Sequence, residues 1–272
     1  MYCPNRKKGE YVMAKNNGER YSANSLTRGL AILKLFNSER PSLSLVEIAE
    51  LLGVSRTVPY RLLYTLESVG YLRQNKTTKR YELTPKVLEL GFAYLNSMEL
   101  TEIAQPYLEE LRDEYNVSCH LSILDGTEVV YIGTATLRGV TAINVNIGMR
   151  IKAYSVANGR VLLAYKDNEY IERHFDKENI TIGADDKVVD YATFKNDLDK
   201  VRKQGYAISS GEFLPSISSI AVPVFGKDNA AIASINIVAT DDVLNKLQSD
   251  GKVLKDLQSI SEDLSRFQFI KA

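Results

Sequence analysis

Arg56, Thr57, Tyr60 and Arg61 bring two guanidiniums and two hydroxyls into one short stretch that contains no carboxylate. Such a set is suited to hydrogen bonding rather than to making and breaking covalent bonds. A guanidinium matches the O6 and N7 acceptors of guanine, and hydroxyls and cations serve phosphate oxygens. Ser55 just before the set, and Thr27 further upstream, are hydroxyls placed for phosphate contact. A second cationic group follows in Arg73, Lys76, Lys79 and Arg80, again with no acid between them. Cations on a loop tip suit phosphates or a minor groove. Groups with catalytic potential are sparse by comparison. His120 and His174 are the two histidines, and Cys3 and Cys119 the two cysteines. Cys119 and His120 are adjacent, so on a strand they would point to opposite faces and could not share a substrate. The sequence has no glycine-rich phosphate loop, zinc-spaced Cys/His set or nucleophile elbow. No cofactor or metal is therefore expected, and a small-molecule-processing enzyme in the C-terminal half stands as the alternative reading.

The elements that must position the first set are legible around it. Leu45 to Leu52 has a helical apolar face, Gly53 supplies a turn that tolerates positive φ, and Ser55 is placed to cap a second helix from Arg56 to Ser68. Tyr60, Leu62, Leu63, Leu66 and Val69 fall near helical spacing and are expected to face inward, leaving Arg56, Thr57 and Arg61 outward. Tyr60 is thus either a core residue or a base contact. Pro59, four residues after the expected cap, requires a later helix start or an irregular first turn. Tyr71–Leu72 and Tyr81–Leu83 read as a hairpin whose tip carries the second cationic group. A helix from Leu26 to Phe36, capped by Ser25, completes a winged helix-turn-helix over residues 25–85, a DNA-binding arrangement. Residues 1–24 are polar and read as a disordered tail. Residues 86–99 read as a linker helix, Lys86 to Ser97, whose apolar face suits dimerisation. The charge agrees with this division. Residues 1–84 carry 14 Lys/Arg against 7 Asp/Glu, whereas the whole chain carries 34 of each. A basic front half on an acidic remainder fits a DNA-binding domain joined to one that does not bind DNA.

Residues 100–272 change period. A helix from about Glu102 to Tyr115, with Pro106 near its first turn, precedes strands at Val117–Leu124, Glu128–Ala135 and Thr141–Ile147. Asp125-Gly126 is a hairpin turn. Helices are expected from Asn158 to Ala164, Asn168 to His174 and Tyr191 to Gln204, then strands at Tyr206–Ser210, Ser218–Phe225 and Ala230–Ala239, and a closing helix from Val243 to Phe267. This is an α+β domain with a mainly antiparallel sheet. Asn236 lies within the apolar strand IASINIV, where its amide needs a partner, either a bound ligand or a neighbouring loop. Apolar content of 44% supports a real core. The chain has no apolar run long enough to span a membrane, no signal-peptide pattern and no disulfide framework, which together point to the cytoplasm.

These stretches together resemble the IclR family of bacterial transcription regulators over about residues 25–270. LTRGLAILKLF is similar to the family's opening helix, and EIAELLGVSRTVPYRLLYTLESVGYL to its helix-turn-helix, with Pro59 in place of the usual small residue. Gly148-Met149-Arg150 through NGRVLLAY resembles the start of its effector region. GYAISSGEFLPSISSIAVPVF followed by IASINI resembles the strands closing its ligand cavity. The resemblance implies a winged helix-turn-helix, a linker helix and a C-terminal GAF-like effector domain. It also implies homodimers, often pairing into tetramers, that bind double-stranded operator DNA of a metabolic or catabolic operon and respond to a small effector. NGRVLLA and SISSIAVPVF look closest to members that sense small carboxylates or aromatic acids. Carried over by position, the effector would meet Ala157, Asn158 and Gly159, whose amides at a helix start could hold a carboxylate. Ser209, Ile217, Ser219, Asn236 and Val238 match other walls, and Ile143 the mouth. Ser209 departs from members with small-acid ligands, which carry an acid nearby.

Overall fold

The computed structural model describes residues 23–137, 145–175, 180–182, 187–212, 214–226 and 228–270. Ile143, most of the strand expected at Thr141–Ile147, and nearly all of the expected tail lie outside them. The chain divides into two compact units between Ser97 and Met98.

The first unit contains α1 (Asn24–Leu33), β1 (Ser42–Leu43), α2 (Leu45–Leu51), α3 (Thr57–Ser68), β2 (Leu72–Gln74), β3 (Tyr81–Leu83) and α4 (Val87–Asn96). Ile32, Leu35, Phe36, Leu43, Ile48, Leu63, Leu72 and Tyr81 form its core. The expected cap at Ser25 is not made. α1 begins two residues earlier, behind Ala23, with no side-chain cap. α2 has a cap that the periodicity did not reveal. The Ser44 hydroxyl accepts from the Glu47 N–H, and the Glu47 carboxylate accepts from the Ser44 N–H at 2.7 Å. This reciprocal pair satisfies two of the orphan donors at the helix start and is worth about 1 kcal/mol. Gly53 takes φ +64° in the turn that follows. α3 starts at Thr57, with Arg56 in the cap position and no side-chain cap. Ser55 therefore does not cap; its hydroxyl lies 3.0 Å from that of Thr57. Pro59 falls in the first turn, where a backbone N–H would have no intrahelical acceptor, so the missing donor costs no bond. β1 was too short to show a period. It joins the hairpin as a third strand, in the order β1-β3-β2.

The second unit contains α5 (Glu99–Tyr115), β4 (Ser118–Asp125), β5 (Glu128–Ala135), β6 (Arg150–Lys152), α6 (Ala157–Ala164), α7 (Asn168–His174), β7 (Ile180–Ile182), β8 (Lys187–Val189), α8 (Tyr191–Gln204), β9 (Ala207–Ser210), β10 (Ile217–Phe225), β11 (Ala231–Thr240), α9 (Asp241–Ser249) and α10 (Lys252–Ile270). Six strands form one sheet in the order β6-β5-β4-β11-β10-β9, each neighbour antiparallel. α5 starts three residues earlier than expected, which puts Pro106 inside the helix. The single closing helix is in fact two, separated by Gly251 at φ +64°. The β7–β8 hairpin was not anticipated.

Two details of this unit set the geometry of its cavity. First, opposite faces of the sheet meet different helices. A Cβ at Gly133 would lie 3.2 Å from Leu121 Cβ and 3.4 Å from Leu108 Cδ1 of α5, whereas Ser122, on the other face, receives the side chain of Asn158 from α6. Second, the β4–β5 register slips. Leu121 pairs with Gly133 but Ser122 pairs with Tyr131, so Ile132 is passed over as a bulge.

Candidate nucleic-acid interface and ligand cavity

The buried stripe of α3 is Pro59 and Leu63, four residues apart. That phase places Arg56, Thr57, Tyr60, Arg61, Tyr64 and Thr65 on the exposed side. Tyr60 is 61% exposed and Val69 45%, so neither faces inward as their spacing suggested. The side chains of Arg56 and Arg61 have no hydrogen-bonding or ionic partner among the described residues, and Thr65 donates to the Arg61 carbonyl. A groove of about 420 Å³ runs between α3, the start of α2 and the hairpin, lined by Tyr60, Tyr64, Glu67, Val46, Lys79 and Tyr81 among others. Thr27 is exposed on α1.

The four cations of the hairpin separate into two kinds. Asn75 organises the tip, its side-chain oxygen accepting from Thr77 N and Thr78 N at 3.0 Å each. Lys79 closes the turn at φ +58°, in the left-handed region. Lys76 and Lys79 are exposed there with no salt bridge among the described residues. Arg73 forks onto Glu82 at 2.8 and 3.0 Å but stays 72% exposed, a surface pair of small net worth. Arg80, expected on phosphate, is committed to the fold. It donates to the Ser42 hydroxyl and carbonyl, each at 2.9 Å, and pairs with Glu47. It thereby ties β1 and the α2 cap to the hairpin. The Ser44 N–H, then its hydroxyl, then Arg80 hold the Glu47 carboxyl at about 2. The sequence reads Arg80 as one of four equivalent cations, because nothing in it places Glu47 alongside.

In the second unit, Asn158, Ser209, Ile217, Ser219, Asn236 and Val238 converge on one cavity of about 30 Å³. Ala157 and Gly159 do not line it. Both are buried in the packing of α6, where a Cβ on Gly159 would sit 1.9 Å from the Ala153 carbonyl oxygen. Tyr131, Val145, Ile151, Val156 and Ser218 complete the wall and were missed. Strand alternation alone does not give the side on which Tyr131 falls, because the bulge resets the phase.

Among the described residues the cavity wall carries no carboxylate, lysine, arginine or histidine. Ser209 and Ser219 hydroxyls bond each other at 2.9 Å, and Asn158 Nδ2 donates to Ser122 Oγ at 2.8 Å. The other ends of the network are open. Asn158 Oδ1, Asn236 Oδ1 and both ring nitrogens of His120 are buried with no partner among the described residues. His120 pairs in register with Asn236 and sits edge-on to Tyr131, with centroids 5.5 Å apart. Burial lowers the His120 pKa to about 4, so the ring is neutral. Burial also raises Tyr131 to about 12, against the Asn158 hydrogen bond. Cys119 points away from His120, paired with Ile237 and Ala135. Burial pushes its thiol well above the reactive range.

An exposed helix-turn-helix face whose arginines have no partner among the described residues, and a second unit with a cavity that sets serines and asparagines among apolar side chains, define a ligand-responsive DNA-binding transcriptional regulator. The chain belongs to the IclR family: residues 25–76 match the IclR helix-turn-helix domain, and residues 92–266 match the bacterial transcriptional regulator IclR C-terminal domain. It is 29% identical over 241 residues to the Pca regulon regulatory protein of Pseudomonas putida, covering 88% of this chain and 82% of that protein. It is 30% identical over 244 residues to the p-hydroxybenzoate hydroxylase transcriptional activator of Acinetobacter baylyi, covering 88% and 89%. The crystal structure of a regulator from Rhodococcus sp. RHA1 superposes with a TM-score of 0.74 at 30% identity, covering 90% of this chain and 98% of that one. Among the described residues no helix is long and apolar enough to cross a membrane.

Proposed function

We propose that this regulator reads operator DNA with Arg56, Thr57, Tyr60 and Arg61 on α3, and steadies itself on the backbone with Lys76 and Lys79. Its effector would be a small organic acid, aromatic acids first, taken into the cavity at Asn158 and Asn236. The observation that carries an effector site here is the pair of buried amide oxygens with no partner among the described residues, since native interiors rarely leave such groups unmatched; they call for a donor on the effector, and the acid class rests on the relatives. The relatives' names, a Pca regulon regulator and a p-hydroxybenzoate hydroxylase activator, support an operon of aromatic-acid catabolism. Work on operator DNA is work in the cytoplasm.

The cavity at about 30 Å³ has room for a water or two. A ring-sized acid therefore binds a state with the walls parted, and its preference for that state is what couples the effector to DNA affinity. α4 supports a homodimer. None of its residues is buried, and Leu88, Leu90, Phe92 and Tyr94 are each more than half exposed. A helix with that much bare apolar surface fits a second copy of itself.

The test is fluorescence anisotropy with DNA from just upstream of the gene, at two salt concentrations, with benzoate, hydroxybenzoates and short aliphatic acids added in turn. Specific, salt-sensitive binding altered by one acid is the expected result. Specific binding that no acid changes would remove the acid effector, and loss of specificity would remove the assignment to α3.

A further inference from the structure

We propose that the effector presents an uncharged hydroxyl to Asn236 in the wall of the cavity, with His120, which does not itself line the cavity, paired beside Asn236 as a second unmatched group. The inference rests on the cavity being the effector site and says which end of the effector enters first.

Asn236 and His120 face each other across β4 and β11, both essentially inaccessible. Among the described residues Asn236 Oδ1 is an acceptor with no donor, and both nitrogens of a neutral imidazole, one donor and one acceptor, are unmatched. Tyr131 closes the side against the His120 ring. A carboxylate is a poor occupant here. It would meet an unpaired carbonyl oxygen, and among the described residues no cation lines the wall to offset its desolvation. An ammonium would find acceptors but would bury its charge among uncharged walls at a similar cost. A hydroxyl donates and accepts through one atom, carries no charge and takes little more room than the water it would displace. An acid that binds this cavity therefore turns its hydroxyl to Asn236 and its carboxylate away from it.

Isothermal titration calorimetry on the full chain with matched pairs tests this: benzoate against 3- and 4-hydroxybenzoate, and butyrate against 3-hydroxybutyrate. At least one hydroxylated acid should bind about 10-fold or more tightly than its unhydroxylated partner, the ratio expected when a buried polar group is left unmatched in the poorer complex. Asn236→Leu keeps a side chain of similar size and should bring that ratio to within about twofold, the loss falling on the hydroxylated acid. His120→Phe should narrow it less, with folding of both variants checked by circular dichroism. Equal affinity within every pair, or a ratio that survives Asn236→Leu, would overturn the hydroxyl site and leave the effector cavity standing. Binding of none of these acids by the folded protein would overturn the cavity reading and this inference together.

Discussion

α3 and α6 are the two helices on which function would concentrate, and they are opposite kinds of surface. α3 buries Pro59 and Leu63 and exposes most of its other residues, whereas every residue of α6 from Ala157 to Ala164 is buried. On α3 the groups that would meet DNA are not the groups that hold the helix in place. On α6 every residue packs the core, and Asn158 lines the cavity as well. Base reading can therefore change residue by residue at little cost to folding, while a change at Asn158 alters packing and cavity at once.

The contrast can be broken most severely at Gly159. Gly159→Ala drives a methyl into the Ala153 carbonyl and should destabilise the second unit by about 3 kcal/mol or more. Urea unfolding followed by probes in each unit should show the first unit's transition unmoved; a shared loss would end the separation. Arg61→Ala lies at the other pole. It should weaken operator binding by about 1–3 kcal/mol and relax preference at one base position, with unfolding stability changed by no more than about 0.5 kcal/mol. An unchanged footprint and affinity would remove α3 as the reading helix.

Glu47→Ala sharpens the comparison inside the first unit by removing a carboxylate that serves folding alone. The expected cost at neutral pH is about 1 kcal/mol, the worth of the capping pair. Its pKa is lowered from 4.5 to about 2 in the folded state. The stabilisation is therefore complete above the unfolded value and is lost as pH falls through that window. The difference between wild type and variant in thermal unfolding should shrink between those two pH values; a difference that grew with acid would contradict the assignment. The smallest effect is expected at the hairpin tip. Lys79→Gln should weaken all DNA sequences alike and lower the salt slope by about one. A loss restricted to one operator sequence would make Lys79 a base reader.

Much of this architecture could be read from the chain itself. The helix pair, the charged hairpin and the antiparallel strands of the second half follow from apolar period and turn residues, which are local properties. What escaped was either too short or non-local. Ser42–Leu43 is two residues long and becomes a strand only because Tyr81 and Glu82 lie opposite it. The commitment of Arg80 depends on Glu47, a partner 33 positions away. The Ser44/Glu47 cap, by contrast, is present in the sequence as a hydroxyl three residues before an acid, a pattern that apolar spacing does not score. Of the two readings of Tyr60 the inward one fails, because a tyrosine one position beyond the buried stripe reads as part of that stripe, and its exposure leaves the outward one. At the cavity, Asn158, Ser209 and Ser219 come from resemblance, and Asn236 also from its polar amide within an apolar strand. Tyr131 could come from neither resemblance nor alternation.

That tyrosine depends on a single extra residue. Were β5 to run without its bulge from the Gly133 pairing, Ile132 would stand opposite Ser122 and Tyr131 would turn to the face that α5 covers. A one-residue deletion on the turn side of Tyr131, at Val129 or Val130, with the Gly133 pairing kept, would thus exchange a phenol for a hydrocarbon in the cavity wall without altering either amino acid. Among chains built on this sheet, ligand preference can then be inherited through strand length as readily as through substitution, and a comparison that scores only residue identities would pass over it.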